Sequence, residues 1–119
     1  MSEMYGLAVR WSLRGAPDDV AQKLRDYVRD TSLAKFSGVE NLRFKTWRMI
    51  EGEWFEGVYV WDGADARDGF ETAFRRDAAT APVSLLVGAA PALVEPFEVV
   101  AVAEGPSGFV SGVGPVAAG

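Results

Sequence analysis

The chain has 119 residues, 49% hydrophobic and 24% charged, which is one domain's worth of ordinary globular composition and argues against a disordered chain. A formal charge of -5, with no basic run longer than Arg75-Arg76, argues against nucleic acid and against an anionic membrane surface as partners. With no cysteine there is no disulfide or thiolate chemistry, and with no histidine there is neither a Ser-His-Asp triad nor the commonest zinc ligand.

Proton transfer must therefore fall to Asp, Glu, Lys, Tyr or water. The opening MSEMYGLAVRW lacks a basic n-region, and its apolar run is too short for a signal peptide. No apolar run approaches the roughly 20 residues that span a bilayer. The expectation is a soluble, cytoplasmic protein.

Tyr5, Leu7, Val9, Trp11 and Leu13 alternate with small or polar residues, which predicts a half-buried strand over 5–14. From 18 to 36 the period changes: Val20, Leu24, Tyr27 and Val28 share one helical face, with Pro17, Asp18 and Asp19 at its start. Residues 39–50 and 54–62 read as strands joined by EGE, a β-hairpin. A loop and helix follow over 62–77, with Ala66, Phe70, Ala73 and Phe74 inward and Asp65 as the expected cap. PVSLLVG (82–88) reads as a short helical turn, and PFEVVAVAE (96–104) as the final strand.

The order β-α-β-β-α-β predicts an α+β, ferredoxin-like domain over 1–104: a four-stranded antiparallel sheet with helices on one face. VYVW and FEVVAVA are apolar at both parities, so both faces of the sheet need cover. A second copy of the chain is the simplest cover, and a homodimer is expected. The remainder, 105–119, is a Gly/Pro-rich tail or arm whose Phe109, Val110 and Val113 are suited to anchoring on a partner. GPSGFVSGVG follows the last strand with no helix after it, so it is not a phosphate loop.

Three of the four tryptophans, Trp47, Trp54 and Trp61, crowd into FKTWRMIEGEWFEGVYVWDG. The turn decides which side chains share a face. A three-residue IEG loop with Gly52 left-handed puts Lys45 and Trp47 with Phe55, Gly57, Tyr59 and Trp61. A two-residue turn at Glu51-Gly52 puts them with Trp54 and Glu56 instead. The first register is the expectation. It gathers Arg43, Lys45, Trp47, Phe55, Tyr59 and Trp61, with Tyr5 and Trp11 of the first strand, around the gap at Gly57.

These aromatics read either as core or as the wall of a pocket for a flat apolar molecule. Trp61 and Phe55 weigh towards core, while Trp47 and Tyr59 balance between the two. Lys45 weighs towards function, because a cation on an aromatic face needs a partner. Lys45 and Tyr59 are the candidate catalytic pair, stabilising or protonating an enolate or phenolate oxygen. Trp47, Arg43, Phe55, Trp61, Trp11 and Tyr5 are the substrate-binding candidates. Glu51, Glu53 and Glu56 lack any calcium-loop spacing and read as a solvated turn, and no metal is expected. Asp62 reads as a turn residue, and Arg75-Arg76 as a match to a helix dipole.

In order and spacing, GVENLRFKTWRM, GEWFEGVYVWDGADARDGFETAF and EPFEVVAV resemble the YdhR-like branch of the dimeric α+β barrel superfamily, which includes antibiotic-biosynthesis monooxygenases. The likeness spans about residues 5–104. It implies a homodimer whose two sheets close into a barrel and a cavity between sheet and helices for a small molecule. It also implies oxygenase chemistry without metal or flavin, on an aromatic or polyketide-like substrate. A non-catalytic binding module, or a cyclase or isomerase in the same pocket, is the alternative. The missing histidine sets this chain apart from superfamily members that use one.

Overall fold

The alternating segment Tyr5–Ser12 forms strand β1, whose odd residues Leu7, Val9 and Trp11 are buried. These features come from a computed structural model that describes residues 3–114; the last residues of the expected tail, 115–119, lie outside the described residues. β2 (Leu42–Ile50), β3 (Trp54–Trp61) and β4 (Leu93–Glu98) complete one antiparallel sheet in the order β2-β3-β1-β4. The expected α+β arrangement is therefore present: four antiparallel strands with the helices on one face.

The first helical stretch is interrupted. α1 (Val20–Tyr27) and α2 (Leu33–Ser37) are joined through Val28–Ser32, which winds as a π-helix. α3 (Ala64–Asp77) carries Phe70 and Phe74 against the core, and α4 (Pro82–Val87) closes the far end. Gly63, not Asp65, occupies the cap position of α3, and no side chain bonds there; Asp65 instead sits in the first turn, near the positive end of the dipole. Trp11 Nε1 donates to Ser84 Oγ at 2.9 Å, and Ser84 Oγ donates to Ala78 O at 2.6 Å. That relay ties α4 to the sheet.

The last strand differs from expectation. It runs over 93–98, and the apolar residues after it leave the sheet, with Val100 89% exposed. Pro96 is tolerated because β4 is an edge strand, where its missing N–H can face away from the sheet. The double-sided apolar character of FEVVAVA is therefore not evidence for a covered sheet. VYVW is covered within the single chain: Tyr59 and Trp61 are buried under the helices, and Val60 is buried on the outer face. There Val60 sits between Phe44 and Gly6, its partners on the flanking strands. Phe109 of the C-terminal arm stacks on Phe44 of its own chain at 5.7 Å.

The outer face also holds a charged row. Glu56 is buried between its cross-strand partners Arg10 (3.0 Å) and Arg48 (2.6 Å). Burial alone would raise its carboxyl, but hydrogen bonds from the two guanidinium groups outweigh that and hold it below the usual range. Glu51 pairs with Arg25 and Glu53 with Arg14, so the hairpin carboxylates diverge.

Gly6 fixes how β4 lies on β1. A Cβ there would meet the ring of Phe97, 2.0 Å away at its nearest atom. Gly6→Ala is expected to destabilise the fold by about 1–3 kcal/mol in urea unfolding, as overpacking does. Gly6→Ala combined with Phe97→Leu should recover most of that loss. Equal losses in the single and double variants would place the cost elsewhere.

Candidate functional site

The hairpin register builds the site. Glu51, Gly52 and Glu53 form the loop, with Gly52 at φ +77 and Glu53 N donating to Ile50 O at 2.9 Å. The expected loop was Ile50 to Gly52; the observed one is displaced by a residue but keeps the same parity. Lys45 therefore pairs with Tyr59, Trp47 with Gly57 and Met49 with Phe55, all facing the helices. From β1, Val9 and Trp11 pair with Gly57 and Phe55 and extend the same floor.

Between this floor and the helices lies a cavity of about 350 Å³, within the range of small-ligand sites. Lys45, Trp47, Gly57 and Tyr59 form its floor, and Trp11 and Phe55 its end. Tyr27, Ser32 and Phe36 line one wall, Phe70 and Phe74 another, with Lys35, Asp77 and Pro82 nearer the rim. Of the residues expected from sequence, Lys45, Tyr59, Trp47, Phe55 and Trp11 come together here.

Three do not. Arg43 is the extra residue of a β-bulge between Leu42 and Phe44, which turns it away from its neighbours on that face; it is exposed and donates to Glu3 O at 3.0 Å. Tyr5 lies at the opposite end of the sheet, with Arg67 5.5 Å from its ring centroid. Trp61 is core, 3% exposed, stacked on Tyr59 at 6.2 Å and tilted against Phe70 at 5.1 Å.

Lys45 is the chemical centre of the cavity. Its Nζ donates to Tyr59 Oη at 2.9 Å and lies 3.6 Å from the Phe36 ring centroid, 4.2 Å from Tyr59 and 4.6 Å from Trp47. Such ring faces favour an ammonium by about 0.5–2 kcal/mol. Burial works against the charge and wins, with the nearby Lys35 adding to it, and the amine is brought down to about 6. At neutral pH it is therefore mostly a free base. The Tyr59 phenol moves the other way, raised well above its ordinary value by burial and then by Tyr27, so it stays protonated.

The π-helical segment supplies residues that the sequence did not announce. Widening the helix there brings Ser32 inward, 2% exposed, where its Oγ accepts from Trp47 Nε1 at 3.1 Å. Phe36, one turn on, packs edge-on against Tyr59 at 5.5 Å. The only sequence trace is the polar run Asp30-Thr31-Ser32 inside an amphipathic helix. Gly57 was legible: a Cβ there would stand 3.1 Å from Lys45 Cε, so the missing side chain lets the lysine lie across the floor.

No protein-family profile matches the chain. No curated protein matches it. Among solved structures it is similar to a candidate antibiotic biosynthesis monooxygenase from Chloroflexus aurantiacus J-10-fl, with 14% identity and a TM-score of 0.48. That match covers 84% of this chain and 96% of the other. At that distance it carries no weight for chemistry, which rests on the cavity itself.

The unpaired amine has a signature in stability. Unfolded, Lys45 titrates near 10.4; folded, it titrates at about 6. Between those values the unfolded chain binds the extra proton, so stability rises with pH. The unfolding free energy of wild type relative to Lys45→Met should climb across that window, at up to about 1.4 kcal/mol per pH unit. A difference that stays flat with pH would mean a hydrated, ordinary ammonium.

Proposed function

We propose that the chain binds a planar, weakly acidic, aromatic or polyketide-like molecule in this cavity and oxygenates it without a cofactor, in the manner of the YdhR-like and antibiotic-biosynthesis monooxygenases it resembles. The observation that carries this reading is the Lys45 amine, a neutral base among aromatic rings with a protonated phenol 2.9 Å away. It supplies a proton acceptor inside the cavity of a chain that has no histidine.

In the first step Lys45 takes a proton from an activated methylene of the substrate. The resulting carbanion is the counter-charge that the cage lacks, so substrate and amine ionise together. The Tyr59 hydroxyl donates to the enolate oxygen. The carbanion passes its electrons to dioxygen and forms a carbon–peroxide bond, and the peroxide oxygen recovers the proton from Lys45. Loss of water leaves a ketone. One methylene and one O2 give one carbonyl and one water, and the substrate is the only reductant. The aromatic walls hold the ring system flat and exclude water from the anion.

The same proposal includes a second copy of the chain on the outer sheet face. Ile50 is 46% exposed and Leu93 36% exposed there, and Phe44 and Trp54 are only half-buried. Light scattering should give about twice the chain mass of 12.8 kDa. A mass of one chain at micromolar concentration would remove the dimer from the reading.

Oxygen uptake with a panel of anthrone-like and 1,3-dicarbonyl compounds tests the chemistry. Lys45→Met should lower kcat/KM by about 10²–10⁴-fold, the usual contribution of a general base. Because the base must be neutral, kcat/KM should rise through a pH of about 6 and then level. Lys35, Tyr27, Tyr59 and Asp77 are the other titratable groups facing the cavity. Turnover that persists without oxygen would keep Lys45 as base but make the reaction an isomerisation or cyclisation. Turnover unaffected by Lys45→Met would end the proposal.

A further inference from the structure

We propose that Lys45 is also a site of covalent capture, where its amine condenses with an aldehyde or ketone carbon on a flat apolar ligand to form an imine. The cavity is shared with the oxygenation reading, but the bond made is nitrogen to carbon and no oxygen is consumed.

The argument is geometric first. Lys45 Nζ stands on the cavity floor with one hydrogen-bond partner, Tyr59 Oη at 2.9 Å. In its neutral form the amine uses an N–H for that bond, so its lone pair is free to point into the cavity. Gly57 has no side chain, so the lysine stem lies flat across the floor, its Cε 3.1 Å from where a Cβ would stand. Trp47, Phe36 and Phe70 line the cavity and offer apolar ring surface to the ring that carries the carbonyl.

Imine formation needs a nucleophile and a proton donor that reach the same two atoms. The lone pair attacks the carbonyl carbon, and the C=O π pair moves onto oxygen. That oxygen is then one atom removed from the new C–N bond, within reach of the phenol that touches the nitrogen. Tyr59 gives it a proton and regains one from the positively charged nitrogen, leaving a neutral carbinolamine. A second pass of the same proton breaks the C–O bond. The hydroxyl leaves as water, and the nitrogen lone pair forms C=N. One amine and one carbonyl become one imine and one water, with no oxidant or reductant.

The chain's other lysines lack this environment. Lys23 is paired with Asp19 at 3.3 Å, and Lys35 is exposed, its Nζ 5.3 Å from the Phe36 ring centroid. Lys23, outside the cavity, serves as the internal control, and Lys35 at the rim as a solvated comparison in the same molecule.

The test is to incubate the full chain with 2-naphthaldehyde and cyanoborohydride, which fixes an imine as a secondary amine, and then to map the adduct by peptide mass spectrometry. The expected result is a single adduct at Lys45, formed at least about tenfold faster than at Lys23 or Lys35. Its rate should rise through a pH of about 6 and then level, since the amine above that value is already neutral. Tyr59→Phe keeps the ring and should slow the reaction roughly 10–100-fold. No adduct at Lys45, or labelling spread evenly over the three lysines, overturns the proposal. Labelling at Lys45 without oxygen uptake by any compound would uphold the imine while ending the oxygenase reading. Oxygen uptake without labelling would do the reverse.

Discussion

The pairing of Lys45 with Tyr59 and of Trp47 with Gly57 across the hairpin is the constraint on which the site depends. Side chains alternate along a strand, so a shift of one residue in β2 would move Lys45 and Trp47 to the outer face. They would then stand beside Arg10 and Glu56, Arg48 would turn inward, and the cavity floor would be lost. What holds the register is local: a three-residue loop, with Gly52 left-handed at its centre, sets the parity of every pair that follows. The bulge at Arg43 comes only after Lys45 has been placed, so it disturbs the far end of the strand and not the floor.

The two faces of the sheet treat charge in opposite ways, and the contrast singles out the proposed site. On the outer face Glu56 is buried with a guanidinium on each side, a closed arrangement in which each charge has its partner. On the inner face Lys45 has aromatic rings and a phenol but no carboxylate among its hydrogen-bonding and charge partners. A buried charge without a partner is costly enough that the group gives up its proton instead. Such a group adds little to stability. On the proposed reading, a bound ligand completes it.

Much of this was legible in the sequence. Alternation and helical period placed the four strands and the principal helices, and the aromatic spacing of the hairpin pointed to Lys45, Trp47 and Tyr59 on one face. Period-based reading stops where the backbone departs from a regular period. The π-helical segment at Val28–Ser32 leaves the amphipathic pattern nearly intact, so beyond the polar run Asp30-Thr31-Ser32 nothing marks Ser32 and Phe36 as cavity residues. The bulge breaks the alternation silently, so Arg43 was placed on the wrong side. The sequence pattern starts the final strand too late because Pro96 reads as its beginning. Pairing with β1 on a sheet edge lets the strand start three residues earlier.

Tyr59 explains why the core and the site cannot be separated. Its ring is stacked on Trp61 and packed against Phe70 at 4.8 Å, which fixes its position as firmly as any core residue. Its hydroxyl emerges from that packing at the Lys45 nitrogen. A proton donor held this way needs little reorganisation when a ligand arrives, and that preorganisation is what a reacting pair requires. The cost appears nearby: Trp61 Nε1 is buried without a hydrogen-bond partner among the described residues, and Lys45 is held uncharged. A core selected for stability alone would have removed both. Their presence on one cluster of rings is consistent with aromatic packing that serves the cavity as well as the fold.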